Sequence, residues 1–220
     1  MTQSTVRALQ QLLDPEGVSA RRRHRLVRRR YRNTGPNQTW HMDGYDKMKP
    51  FGIAVSGCVD GYSRNIIWLE AYTTNNDPRV ILHYYLKSMS GREGCPRRIR
   101  ADFGTENGLV RQAQTFLRRN GTDSMAGTGS FLYGKSTTNQ RIEAWWCMLR
   151  RQCAQYWLDI LHTLREDGHF NGGLLHKNLI QFCFMKLVQV MHFKPWGGVC
   201  NLSQNVQWVH KNHNINVPQS

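Results

Sequence analysis

Acidic side chains are scarce in this sequence: fifteen Asp and Glu stand against thirty Lys and Arg, leaving a formal charge of +15 over 220 residues. That imbalance excludes the near-neutral surface of an ordinary soluble enzyme and favours polyanionic partners, nucleic acid ahead of an anionic membrane. Long apolar runs are missing too. No stretch of 18 or more apolar residues occurs, so no membrane-spanning helix is expected, and the amino terminus lacks the basic-then-apolar pattern of a secretory leader. Cys-x-x-Cys pairs are also absent. The six cysteines, Cys58, Cys95, Cys147, Cys153, Cys183 and Cys200, are widely spaced and mostly flanked by apolar residues, which points to reduced, buried thiols. His162, His169, His176, His192, His210 and His213 crowd the last quarter of the chain, but none stands at ligand spacing from a cysteine. Zinc is therefore not the favoured expectation.

The basic surplus is concentrated near the start. Between Arg21 and Arg32 eight of twelve residues are arginine: Arg21, Arg22, Arg23, Arg25, Arg28, Arg29, Arg30 and Arg32. Such a run is either a solvated arm or a backbone-binding one, because forked guanidinium groups neutralise phosphates and give strong, salt-sensitive affinity. A run of this composition also suits nuclear import, which makes the nucleus the expected location. Ahead of it, Val6, Leu9, Leu12 and Leu13 outline a short helix stopped by Asp14-Pro15-Glu16-Gly17. Asn33-Thr34-Gly35-Pro36-Asn37 reads as a linker. The expected division is an arm and linker over residues 1–36, a core over 37–192 and an extension over 193–220.

Within the core the hydrophobic period changes in a telling order. Trp40 and Met42 alternate with His41 and Asp43; residues 51–59 form a second strand; Asp60-Gly61-Tyr62-Ser63-Arg64 turns the chain into a third strand at Ile66-Ile67-Trp68-Leu69. Asp77-Pro78 opens a helix carrying Val80, Ile81, Tyr84, Tyr85 and Met89. A fourth strand alternates Ile99, Ala101 and Phe103, which it would bury, with Arg100 and Asp102, and a helix over about 108–119 carries Leu109, Val110, Ala113, Phe116 and Leu117. A short strand is expected near 122–125, then a mobile loop over 127–138. From Thr138 or Asn139 a long helix aligns Ile142, Trp145, Trp146, Leu149, Cys153, Tyr156, Trp157 and Ile160, with the two adjacent tryptophans read as packing residues. Leu174 to Met191 forms a covering helix. The order strand-strand-strand-helix-strand-helix-strand specifies an α/β fold with a mixed sheet.

Against so basic a background, acids placed together would be conspicuous. Asp43 lies in the first strand, Asp102 at the end of the fourth and Glu143 on the long helix. If the first and fourth strands are neighbours, these carboxylates converge at one end of the sheet. Three ionised carboxylates repel unless a cation compensates, and oxygen donors suit Mg²⁺ or Mn²⁺. Two such ions about 4 Å apart can activate a water or a 3′-hydroxyl and stabilise the leaving oxygen in phosphodiester displacement.

These motifs carry a resemblance. Trp40-His41-Met42-Asp43, Ala101-Asp102-Phe103-Gly104-Thr105-Glu106 and Asn139-Gln140-Arg141-Ile142-Glu143, in that order and spacing, resemble the core domain of retroviral-type integrases and DDE-type transposases. The nearest likeness is to the eukaryotic integrase-core proteins found outside retroviruses. The likeness runs from about Asn37 to His162 and more weakly through Phe182-Cys183-Phe184 to His213-Asn214-Ile215. It implies a ribonuclease-H-like fold, a mixed five-stranded sheet with helices on both faces, in which Asp43, Asp102 and Glu143 hold two Mg²⁺ or Mn²⁺ ions. It further implies DNA as partner, assembly as a homodimer or larger oligomer, and either DNA cleavage and strand transfer or, alternatively, an adopted and catalytically silent DNA-binding protein. Arg150 falls where such proteins often place a basic DNA-contacting residue, Asn139 would shape the loop and helix start, and Lys135 joins them as a candidate DNA contact. The sequence departs from the retroviral pattern in two places: Cys147 occupies a position that is often basic, and forty residues separate Asp102 from Glu143. No amino-terminal histidine-cysteine module is seen, and the basic first thirty residues resemble the tail of a DNA-binding region in a shortened member.

Overall fold

The alternation read in the first strand is what organises the structure, a computed structural model that describes residues 2–23, 33–135 and 138–190. Strand β1 (Thr39–Tyr45) sends Trp40 and Met42 into one apolar layer and Tyr45 into the other. It pairs antiparallel with β2 (Ala54–Asp60), which pairs antiparallel with β3 (Ile66–Tyr72). The turn between them is fixed by Asp60, whose carboxylate accepts bonds from the Ser63 amide and hydroxyl, while Arg64 takes the left-handed conformation at φ 62°. Helix α3 (Pro78–Ser90) starts where the Asp77 carboxylate accepts the Arg79 amide. It leads to β4 (Arg98–Ala101), which lies parallel to β1 with Trp40 opposite Ile99.

Helix α4 (Gly108–Leu117) then crosses to β5 (Phe131–Tyr133), parallel to β4. The strand order is β3-β2-β1-β4-β5, a mixed five-stranded sheet with helices on both faces, as expected of a ribonuclease-H-like fold. Helices α3 and α4 cover the layer of Trp40, Met42, Tyr85, Ile99 and Val110. The opposite layer is covered by α5 (Gln140–Leu149), α6 (Gln155–Glu166) and α7 (Leu174–Val190), which bury Ile142, Trp146, Leu158, Leu161 and Ile180.

Four expectations are corrected. The fifth strand lies at Phe131–Tyr133, not at 122–125, because Asp123 ties that segment into a turn by accepting the Met125 amide and pairing with Arg118. Residues 127–135, expected as part of a mobile loop, hold a 3-10 turn at Gly127–Ser130 and that strand. The long helix is broken by a π turn at Arg150–Ala154, which rotates the helical turns beyond it, so Tyr156 is exposed while Trp157 and Leu158 are buried. Strand β4 ends at Ala101, so the alternation does not reach Phe103, which is 71 % exposed rather than buried.

The thiols also differ from expectation. Of the five described, Cys58 and Cys153 are buried, whereas Cys147 and Cys183 are exposed. No helix among the described residues is long and apolar enough to cross a membrane.

The chain divides into two units, Met1–Arg32 and Asn33–Ser220. In the first, α1 (Gln3–Leu13) begins at a Thr2 cap, and Asp14-Pro15 opens a second helix, α2 (Pro15–Arg23), instead of ending helical structure. The side chains of Arg21, Arg22 and Arg23, all of Arg25, Arg28, Arg29, Arg30 and Arg32, and everything after residue 190 lie outside the described residues. His192, Cys200, His210 and His213 are among them.

Packing of α5 on the sheet depends on a missing side chain. Gly57 sits opposite Asp43 in the β1–β2 register, and a Cβ built there would stand 2.6 Å from the Trp146 ring. Gly57→Ala is expected to push Trp146 off the sheet and cost roughly 1–3 kcal/mol, read by urea unfolding. Unchanged stability would show that the ring has room to move.

Candidate functional site

The site begins with a buried amide. Asn139, fully enclosed just before α5, donates from Nδ2 to the Met42 carbonyl at 2.9 Å, which turns its Oδ1 toward His41 Nδ1 at 2.7 Å. That orientation makes Nδ1 the protonated nitrogen of a neutral imidazole. Burial first, then the positive charges of Arg100 and Arg141, push the His41 pKa down to about 4 against the Asn139 bond and Asp60, which raise it. The helix carrying Glu143 is thus fastened to the strand carrying Asp43. Asn139, a candidate DNA contact by sequence, spends its amide inside the fold.

Asp43 stands beyond this clamp, half-buried, with its Oδ2 accepting the indole N–H of Trp146 at 3.1 Å. Burial pushes its pKa up to about 6; the bonds from Trp146 and the Gly44 amide oppose that rise, while the charges of Glu143 and Asp102 add to it. Asp43 therefore feels both of the other sequence-predicted acids, Glu143 and Asp102. The parallel β1–β4 pairing brings Asp102 to the same end of the sheet, just past the end of β4. Its Oδ1 accepts from the Gly104 amide at 3.2 Å and from Asn107 Nδ2 at 2.9 Å.

Further acids share this end of the sheet. Asp43, Asp46, Asp102 and Glu106 line one polar cleft of about 130 Å³ together with Asn75 and Asn107. Asp46 accepts from Asn75 Nδ2 at 2.7 Å and pairs with Lys49 at 3.2 Å. Burial, then the charges of Asp102 and Asp46, raise the Glu106 pKa. Arg150 lies exposed after α5, its Nε on Gln155 at 3.0 Å, and Lys135 is exposed after β5. Neither borders the cleft.

The groups that hold Asp43 and Asp102, Trp146 and Asn107, are not among the expected site residues. Trp146 packs in the core as expected and also donates to Asp43; its spacing of three from Glu143 puts both on one side of α5. His41 and Gly57 carried no signal of their own. The donor chemistry of Asp43, Asp102 and Glu143 suits a hard divalent cation. Their placement does not: among the described residues no three His, Cys, Asp or Glu side chains are grouped so as to hold a metal ion. With Asp43 bonded to Trp146 and Asp102 to Asn107, the set as it stands does not fit the two-ion centre that the resemblance implies. A family model described as integrase core domain matches residues 30–197. Comparison with curated proteins returns no match.

The clamp and Asp43 each generate a stability prediction. Asn139→Ala removes the donor to the Met42 carbonyl and a partner of His41, and should cost roughly 1–3 kcal/mol in denaturant unfolding. Loss below about 0.5 kcal/mol would show that the clamp is dispensable. Because the Asp43 pKa is raised on folding from 3.8 to about 6, the folded state holds a proton that the unfolded chain has released, and Asp43 lowers stability as pH rises across that window. Asp43→Asn keeps an acceptor for Trp146 and should gain roughly 1–3 kcal/mol at pH 7 relative to pH 4. Parallel stability profiles for the two proteins between those pH values would contradict the raised pKa.

Proposed function

The chain belongs to the integrase core domain family, and on that premise we propose that it is a DNA-binding protein descended from a polynucleotidyl transferase, with the carboxylate site catalytically silent as it stands. The observation that carries this reading is the state of the acids: Asp43 is held by an indole, Asp102 by Asn107 and the Gly104 amide, and no metal-holding group forms among the described residues. It departs from the sequence-level expectation, which put metal-dependent cleavage and strand transfer first.

DNA as partner is supported by the family and by the charge of +15. The arginines from Arg21 to Arg32, with Lys135 and Arg150 on the exposed surface, are the proposed phosphate contacts. Assembly as a dimer or larger oligomer and residence in the nucleus belong to the same proposal.

A second reading keeps catalysis. It is supported by the charges of Glu143 and Asp102, both of which act on Asp43. In that case Asp43, Asp102 and Glu143 would hold Mg²⁺ or Mn²⁺, and the ions would supply Lewis-acid activation at phosphate.

The two readings separate in one assay. Labelled duplex DNA incubated with the full chain and Mn²⁺ should show no cleavage or strand transfer above the level of Asp43→Asn, Asp102→Asn and Glu143→Gln, while binding persists in chelator. Activity that disappears in those variants would establish the second reading. For the arm, deleting residues 21–32 should make the plot of log affinity against log salt shallower by about 0.9 for each phosphate no longer neutralised. An unchanged slope would show that the arginines do not touch DNA.

A further inference from the structure

Beside the acidic cleft an exposed ring, Phe103, rests on Tyr133, a half-buried ring that packs against the core. Phe103, the residue after Asp102, is 71 % exposed and lies nearly parallel to Tyr133 of β5, with an interplanar angle of 11° and centroids 5.6 Å apart. Tyr133 is itself anchored edge-on against the buried Phe131 at 4.9 Å. The guanidinium of Arg111, on α4, stands over the Tyr133 ring at 5.6 Å.

The surface continues along the outer side of that helix. There Arg111, Thr115, Phe116 and Arg119 line an open hollow, Phe116 is 60 % exposed, and the Arg119 guanidinium covers its ring at 3.8 Å. Neither Arg111 nor Arg119 forms an ion pair with a described residue.

Single exposed aromatics are ordinary on protein surfaces. Here an exposed ring lies flat on a second ring, and the guanidinium over that second ring, Arg111, like Arg119 just past the end of the same helix, has no carboxylate partner among the described residues. Flat aromatic platforms beside guanidinium groups take unpaired bases, since every base has a π-face and its phosphate needs a cation. The two arginines give the patch the charge that suits a polyanion, and Phe103 directly follows Asp102 of the cleft. We propose that Phe103, stacked on Tyr133, is a binding platform for an unpaired nucleobase of a DNA strand, with Arg111 and Arg119 contacting the adjoining phosphates. The platform rests on the DNA-binding reading.

The experiment compares a duplex carrying a five-nucleotide single-stranded overhang, labelled with the fluorescent base 2-aminopurine, with the same duplex made blunt, using the full chain and Phe103→Leu. The wild-type protein should quench the overhang fluorophore. Phe103→Leu should abolish the quenching and weaken overhang binding about tenfold while changing blunt-duplex affinity less than about twofold. Arg111→Gln, which spares the stacked rings, should weaken overhang binding and make its decline with salt shallower than in the wild type. If Phe103→Leu affects both duplexes equally, affects neither, or alters only the oligomeric state seen by light scattering, the platform is overturned while DNA binding stands. If the wild-type protein binds neither duplex in a salt-dependent way, the DNA-binding reading fails and the platform fails with it.

Discussion

Everything at the acidic end of the sheet depends on one buried side chain, the amide of Asn139. Donating to the backbone of β1 and accepting from His41, it joins two segments almost a hundred residues apart in sequence. An amide can do this where an apolar residue cannot, because β1 has a carbonyl and an imidazole facing the helix start, and burying either unpaired is costly. Once the join is made, the first turn of α5 has nowhere to go but alongside Asp43. Glu143 then lies within electrostatic reach of it, and Trp146 packs over the bare backbone of Gly57.

That arrangement crowds negative charge at one place in a strongly positive chain. Asp43, Asp46, Asp102 and Glu106 line one cleft, and Glu143 acts on Asp43 from the helix. Such crowding opposes ionisation and adds to the burial that raises the pKa values of Asp43 and Glu106. The fold relieves the repulsion mostly with neutral donors: an indole on Asp43, a side-chain amide on Asp102 and another on Asp46, which also pairs with Lys49. Neutral donors can satisfy carboxylates individually, but they do not draw them together as a cation would. A family architecture that implies metal-dependent chemistry is thereby compatible with a protein whose described acids do not group so as to hold a metal ion.

Much of this was legible in the sequence because it rests on short-range periodicity. The alternation through Trp40 to Asp43, the Asp60 turn and the Asp77-Pro78 helix start each specify local structure, and the resemblance implied the mixed five-stranded sheet. What could not be read was set by tertiary contacts or by segments too short to show a period. Strand β5 has three residues, so Phe131 and Tyr133 give no alternation to detect. The π turn after Leu149 adds a rotation that a uniform 3.6-residue stripe assigns wrongly at Tyr156. Phe103 looked like the next inward residue of β4, yet the chain turns at Asp102 and leaves the ring outside. The apolar stripe of α5 accounts for the bulk of Trp146 but not for its N–H, which bonds to Asp43.

A silent site requires that Asp43 keep its bond to Trp146 when a divalent cation is offered. A titration of the isotope-labelled full chain with Mn²⁺, following paramagnetic broadening of the Trp146 indole N–H and of the amides around Asp43, Asp102 and Glu143, addresses this directly. The expected result is no selective broadening at stoichiometric Mn²⁺, with the indole resonance in place. Site-specific broadening of all three segments at one equivalent, together with a shift of the indole resonance, would mean that the acids close around metal and that the site is not silent.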